Sequence, residues 1–450
     1  MEPKIIANNP NSSSLKIVIV DYVSEKNRGD AAIHLGLIKI LLKSYPNAVL
    51  AAVSVFGANQ FPEMEVEYDQ SVNLGIKIYG GLVPTFYPAT KNKGKPVILF
   101  EIQNMVGLFF RLWLLIALKL KIPIRFLKHL MSKKYQKTFE LIEKSDLIVI
   151  RGRNYRDRKT AALEIFRMLS KIYHLLLCSQ LSKKMVLLGA SVWEQKSNLA
   201  DRLLGFAFKS CVFVTVREPG SFEVAKRIAH SYTFQEPMLI PDLSFAAFTD
   251  RKDIIVNRPD LSKGLYPAVI GLTLHDWKPE SLEMRNKYLE SITGFVKFYS
   301  NLGSQVIIIP QVSITWEDNS KLVEELLGNV GTGIINVIKG DPSVRELLQH
   351  YSSLDLLVAT RMHSAIFAAA VNTPIVAIAY DKGGKWNIID EIGYRDYLIN
   401  YDNVTPEILI DKTTLCWKNK SNLVFFAQGI VEKNITNVQI LGKLIKDCMN

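Results

Sequence analysis

Residues 354–393 read LDLLVATRMHSAIFAAAVNTPIVAIAYDKGGKWNIIDEIG. Residues 354–359 are an apolar run of buried-strand length, 364–371 a small-residue helix and 374–380 a second apolar run. That is a strand, helix, strand unit, the building block of a parallel sheet. Thr360, Arg361, Met362 and His363 fall at the carboxyl end of the first strand, facing the helix start. An open parallel sheet leaves its ligand crevice there, and a helix N-terminus favours negative charge. Arg361 can hold a carboxylate or phosphate with its planar fork, and an imidazole such as that of His363 exchanges protons near neutrality. The plain alternative is an Arg361–Asp ion pair and a His363 that only caps the helix.

The flanks of the Arg-x-His add information. A strand bearing Asp355 runs into Arg361 and His363, then a small-residue helix, a strand led by Pro374, then Tyr380, Lys385 (or Lys382) and a terminal Gly393. In that order the stretch resembles the C-terminal signature of the polysaccharide pyruvyl transferase family. Near the other end, Asn27, Gly29 and Asp30 match the Asn-x-Gly-Asp of that family. Arg217-Glu218, followed by Ser221, resembles its Arg-Glu at a strand-to-helix junction, and Asp242 matches the Asp that closes its first domain.

Working outward from the signature, a second α/β series precedes it: strands over 268–274, 305–310 and 334–338, and helices over 280–302 and 343–352. His275 and Gln311 each follow a strand and so face the same crevice. The first series begins with a strand over 15–20, a polar loop, and a helix over 31–44 with Asp30 placed as its N-cap. Strands are expected over 49–55, 146–150, 185–189 and 211–216, with a helix over 198–209 and a further short strand starting at Pro241-Asp242. Residues 61–95 read as a connection. After the strand over 146–150, where the family has a glycine-rich turn, the chain has Arg151-Gly-Arg-Asn-Tyr-Arg156 with only Gly152 kept. These arginines read equally as ligands for an anionic acceptor or as surface charge.

The expected organisation is a polar tail (1–14), a Rossmann-like domain (15–248), a linker (249–267), a second Rossmann-like domain (268–404), and two C-terminal helices (405–450), the last packing back on the first domain. The fold class is thus α/β, two doubly wound parallel-sheet domains facing a cleft, and the resemblance implies the glycosyltransferase-B type. The first fourteen residues lack an apolar core, so no signal peptide and a cytoplasmic location are expected. Cys178, Cys211, Cys416 and Cys448 lack metal-ligand or redox spacing, which points to reduced thiols and neither metal nor cofactor.

The formal net charge is +12. Within 102–139 there is no Asp or Glu, while Arg111, Lys119, Lys121, Arg125, Lys128, Lys133, Lys134 and Lys137 accompany the apolar run 105–118. That run is too short to span a bilayer, so attachment to an anionic membrane, on its inner face, is the expectation, against a buried helix followed by a solvated one. No nucleic-acid motif accompanies the charge, so nucleic acid is not an expected partner.

The resemblance implies a transferase moving a pyruvyl group from phosphoenolpyruvate onto two hydroxyls of a polysaccharide or its lipid-linked oligosaccharide precursor, giving a pyruvate ketal and phosphate. Arg361, Arg217 and Lys385 would neutralise the donor, His363 would act as general acid and Asp30 as base, with Asn27, Gly29, His275, Gln311 and Tyr380 lining the cleft. Two other readings stay open, a nucleotide-sugar-dependent glycosyltransferase and a non-catalytic carbohydrate-binding or membrane-scaffold relative.

Overall fold

The computed structural model describes residues 14–60, 67–84, 97–156, 162–256, 264–276, 282–314, 319–331, 333–380 and 384–449. Residues 1–13 of the expected tail (1–14), Lys382 and part of the expected linker (257–263) lie outside these residues. The chain forms two compact units. Unit 1 takes Met1–Val23, Leu37–Asp242 and Gln439–Asn450, and unit 2 takes Ser24–Gly36 and Leu243–Val438.

Unit 1 is built on strands β1 (Lys16–Tyr22), β2 (Val49–Gly57), β3 (Lys77–Gly81), β4 (Leu147–Arg151), β5 (Asn154–Tyr155), β6 (Met185–Val192), β7 (Val214–Val216) and β8 (Met238–Leu239). They pair in parallel in the order β3-β2-β1-β4-β6-β7-β8, with β5 beside β6. β4 and β6 are buried along their whole length, the continuous apolar reading of a sheet covered on both faces. The order reverses between β1 and β4, which places the switch point at their carboxyl ends.

Unit 2 holds β9 (Val269–Thr273), β10 (Gln305–Ile308), β11 (Ile335–Val337), β12 (Leu356–Ala359), β13 (Ile375–Ala379) and β14 (Leu398–Asn400). They form a six-stranded parallel sheet in the order β11-β10-β9-β12-β13-β14, with its switch point between β9 and β12. Its core side chains come from uninterrupted runs such as β13 and from the helix Met362–Ala370, whose alanines let it lie close on the sheet.

Four features depart from the sequence reading. The segment 61–95 contains β3, missed because KIYGG is short, glycine-bearing and at the sheet edge. No strand starts at Pro241-Asp242: β8 ends before it, and Leu243–Phe248 is a buried 3-10 turn of unit 2. Three C-terminal helices replace two: Pro406–Lys418, Lys420–Val438 and Ile440–Met449, the last lying in unit 1, where Gly442 comes too close to Ser44 Oγ for a Cβ (2.4 Å). Ser24–Gly36, read as part of the first domain, is built into unit 2 for reasons that define the candidate site.

Candidate active site

Arg361 sits at the end of β12 in extended conformation (φ −127°, ψ 125°) as the N-cap residue of the helix Met362–Ala370. A chain of hydroxyls fixes it. Ser364 Oγ donates to the Arg361 carbonyl at 2.5 Å, so its contact with Thr273 Oγ1 (2.7 Å), at the end of β9, must be a hydrogen bond donated by the threonine. Thr360 is held by its N–H on the Thr273 carbonyl (3.0 Å) and by the Tyr288 hydroxyl at 2.8 Å. Burial pushes the Tyr288 phenol up to about 12, so it stays protonated. Arg361, Thr360 and Ser364 are buried and His363, one position into the helix, is half-buried. The short stretch after β12 therefore presents a guanidinium, an imidazole and a helix N-terminus from one rigid support at the switch point.

The Ser24–Gly36 segment closes against this support. Asn27 bridges Val312 in antiparallel fashion, the Arg28 N–H donates to the Gln311 carbonyl (3.1 Å), and the Ser313 N–H donates to the Lys26 carbonyl (3.0 Å). Asn27, not Asp30, caps the helix Arg28–Ser44: its Oδ1 accepts from the N–H groups of Gly29 (3.1 Å) and Asp30 (3.4 Å). The Asp30 side chain is therefore not needed as the cap, and it is half-buried. At Gly29 a Cβ would stand 2.2 Å from His363 Nδ1, so only glycine lets the backbone lie against the imidazole. Buried polar side chains within the segment, Glu25, Arg28 and His34, escaped the sequence reading. Arg28 donates to the Glu25 carbonyl at 2.7 Å and lies 3.6 Å from Asp341, and Glu25 lies 3.8 Å from His34.

The neighbouring strand ends add an aromatic and amide wall. His275, following β9, packs edge-on to Tyr380, following β13, with ring centroids 4.4 Å apart. Tyr380 in turn meets Trp386 at 5.8 Å. Trp386 Nε1 and Gln311 Nε2 are buried donors without hydrogen-bond partners among the described residues, while Gln311 Oε1 accepts from the Tyr351 hydroxyl at 2.6 Å. Trp386 carried no motif and was missed. Unit 2 thus brings together Asn27, Gly29, Asp30, His275, Gln311, Arg361, His363 and Tyr380 of the residues singled out from sequence.

The sequence pattern of the polysaccharide pyruvyl transferase family matches residues 27–382. The chain belongs to that family, and it is a transferase. Solved structures with the same fold include a glycosyltransferase of Rickettsia africae (13% identity, 98% of this chain and 100% of that one, TM-score 0.52) and Anabaena HepE in complex with UDP and glucose (12%, 96% and 98%, 0.53). A UDP-GlcNAc 2-epimerase of Neisseria meningitidis bound to UDP-GlcNAc is similar to the same degree (12%, 97% and 99%, 0.52). At such identities the likeness concerns the fold alone, two-domain α/β of the glycosyltransferase-B type. A search of curated proteins finds no match.

Other positions of the pyruvyl transferase signature have structural explanations. Asp355 Oδ2 accepts from the N–H groups of Ala268 (2.8 Å) and Val269 (2.9 Å), tying the amino ends of β9 and β12 together at the edge opposite Arg361. Gly393 has φ 88°, and a Cβ there would meet Phe426 at 2.5 Å. The Lys385 side chain, in the turn Gly384–Trp386, lies outside the described residues, as does Lys382. Arg217 belongs to unit 1 and is held by two carboxylates, Glu218 (3.1 Å) and Asp242 (2.9 Å), besides Ser191 Oγ (2.9 Å). The pair with Glu218 is the plain alternative that adjacent Arg217-Glu218 offers in the sequence, and the Asp242 carboxylate adds to that neutralisation from outside it.

The arginine-rich turn after β4 is likewise occupied. At Gly152 a Cβ would collide with the Ala190 nitrogen at 2.3 Å, so the close approach to β6 by itself accounts for the glycine. Arg156 lies over the Trp193 ring (4.6 Å), and Arg153 is 3.8 Å from Asp21. Asp21, at the end of β1 in the left-handed region (φ 63°), accepts from His174 Nδ1 at 2.9 Å, and the Leu82 N–H points at the other imidazole nitrogen (3.5 Å). Burial, reinforced by the Asp21 charge, drives the nearby Tyr155 phenol well upward.

Proposed function

We propose that unit 2 binds phosphoenolpyruvate and that the protein transfers its pyruvyl group to two hydroxyls of a polysaccharide or its lipid-linked precursor. The observation that carries this reading is the Gly29 backbone laid against His363, two residues from the buried guanidinium of Arg361 at a helix N-terminus. Arg361 and the helix N–H groups hold the donor carboxylate and phosphate. His363 protonates the methylene carbon as the first sugar hydroxyl adds to the central carbon, and Asp30, next to Gly29, takes that hydroxyl's proton. The second hydroxyl then displaces phosphate from the same carbon; its proton passes to His363, left deprotonated by the first step, and the proton held by Asp30 leaves with the phosphate, so one ketal and one phosphate result from one donor and both residues regain their starting states. Gln311 and Trp386 supply buried N–H donors for the acceptor. Arg217, committed to Glu218 and Asp242, is left out of the donor site.

Calorimetric titration of phosphoenolpyruvate into the wild type and Arg361→Ala tests the donor assignment. The reading expects saturable binding that Arg361→Ala abolishes. Equal binding by both proteins, or none by either, contradicts it. The family's name supports a polysaccharide acceptor and leaves its sugar to the acceptor contacts.

A further inference from the structure

We propose that the helix Val97–Lys119 of unit 1 and the basic segment after it form a face that lies on an anionic lipid bilayer, independently of the donor chemistry. The helix has 23 residues, about 35 Å at 1.5 Å per residue, longer than the run 105–118 read from sequence, so length alone does not exclude crossing as that reading held; its 102–119 window has a mean hydropathy of 1.4 with only 22% of it buried. Ile102, Val106, Phe109, Phe110, Trp113 and Ile116 all point to solvent, Phe109 and Phe110 at 66% and 65% exposure. At 100° per residue these six fall within an arc of about 120°, one continuous apolar face. The opposite face is already used. Outside that arc, Leu108 and Leu114 are buried in the unit 1 core, and the Tyr173 hydroxyl donates to the Arg111 carbonyl at 3.2 Å. A helix packed on protein along one side lies in the interface instead of crossing it.

Charge identifies the occupant. Beyond the helix, exposed Leu120, Phe126 and Leu130 alternate with exposed Lys119, Lys121 and Arg125, and Lys133, Lys134 and Lys137 are exposed on the helix Lys133–Glu143. Within 102–139 no acid offsets them. Lys128 is the exception among the cations of this run: Glu143 (2.5 Å) and Glu140 (3.9 Å) engage it. Arg111 is turned onto the Tyr135 ring at 3.7 Å. A two-fold contact between copies through this face would set the same cations, which have no ion pair among the described residues, against each other, whereas an anionic headgroup layer neutralises them while the aromatic and aliphatic face enters the acyl boundary.

The test is co-sedimentation of the full chain with phosphatidylglycerol-containing and pure phosphatidylcholine vesicles. It uses the wild type, Phe109→Ser with Phe110→Ser, and Arg125→Gln with Lys133→Gln, Lys134→Gln and Lys137→Gln. Binding to the anionic vesicles alone is expected for the wild type. Each removed cation should weaken it about fivefold, so the quadruple charge variant should stay in the supernatant, as should the double serine variant. All altered side chains are exposed, and circular dichroism checks that the variants fold. Failure of the wild type to bind anionic vesicles, or unchanged binding in both variants, overturns the proposal. So does a wild-type dimer in light scattering that the double serine variant dissociates, since a second copy would then cover the face.

Discussion

Exchanging Arg361 for lysine keeps the charge but loses the planar fork, and at a donor carrying both carboxylate and phosphate the fork is what matters. Losing one charge-assisted hydrogen bond costs about 1.5–3 kcal/mol. Phosphoenolpyruvate affinity of Arg361→Lys, measured by calorimetry, should therefore fall roughly ten- to a hundredfold. His363→Gln should keep donor binding and lose turnover by about 10²–10⁴-fold, the usual share of a positioned general acid. If both imidazole variants, Gln and Asn, retained normal turnover in steady-state kinetics, the proton-donor role would be lost. Gly29→Ala places a methyl where His363 Nδ1 stands. A displacement of about 1 Å at a catalytic group costs about 10²-fold, so kcat should drop far more than the urea midpoint moves.

At the scale of elements, the cap positions separate folding from function. Asn27→Ala removes the acceptor for two N–H groups and should lower stability by about 1 kcal/mol in urea unfolding. Ser343 and Glu346 form a reciprocal cap on the helix Val344–Ser352. The hydrogen bond from the Ser343 backbone holds the Glu346 carboxyl below its ordinary 4.5. Because the folded value is the lower one, this contribution is complete above the ordinary value and is lost as pH falls through the folded one. The stability gap between wild type and Glu346→Gln, measured by unfolding at stepped pH, should thus narrow below about pH 4.5. The helix over 343–352, like β12, β13 and the helix between them, was legible because periodicity is a local signal, whereas its capping box was not read. The edge strand β3 was not, because two glycines and an exposed edge leave no alternation to read. Asp30 was misread as a cap because the helix begins three residues earlier than its apolar periodicity, at Arg28, so Asn27 accepts from its first N–H groups and Asp30 falls inside the first turn.

For the whole molecule, the order of the chain misled where the order of strands did not. Both doubly wound sheets and the Arg361–His363 support follow from hydrophobic runs and strand-end residues. That Ser24–Gly36 serves unit 2 is set by backbone pairing with Gln311 to Ser313, some 280 residues away, and by the fit of Gly29 to His363, neither of which has a sequence period. The neutralisation of Arg217 by Asp242 is non-local in the same way. The same embedding implies that a fragment beginning at Leu243 would lack the wall over His363 and should bind no donor even if it folds. Pyruvyl transfer from phosphoenolpyruvate is tested by assaying inorganic phosphate released from it with and without a sugar acceptor, beside a parallel assay of nucleotide release from UDP-sugars. Acceptor-dependent phosphate release that His363→Gln abolishes, with no nucleotide released, is the predicted result. Nucleotide release without phosphate would contradict it.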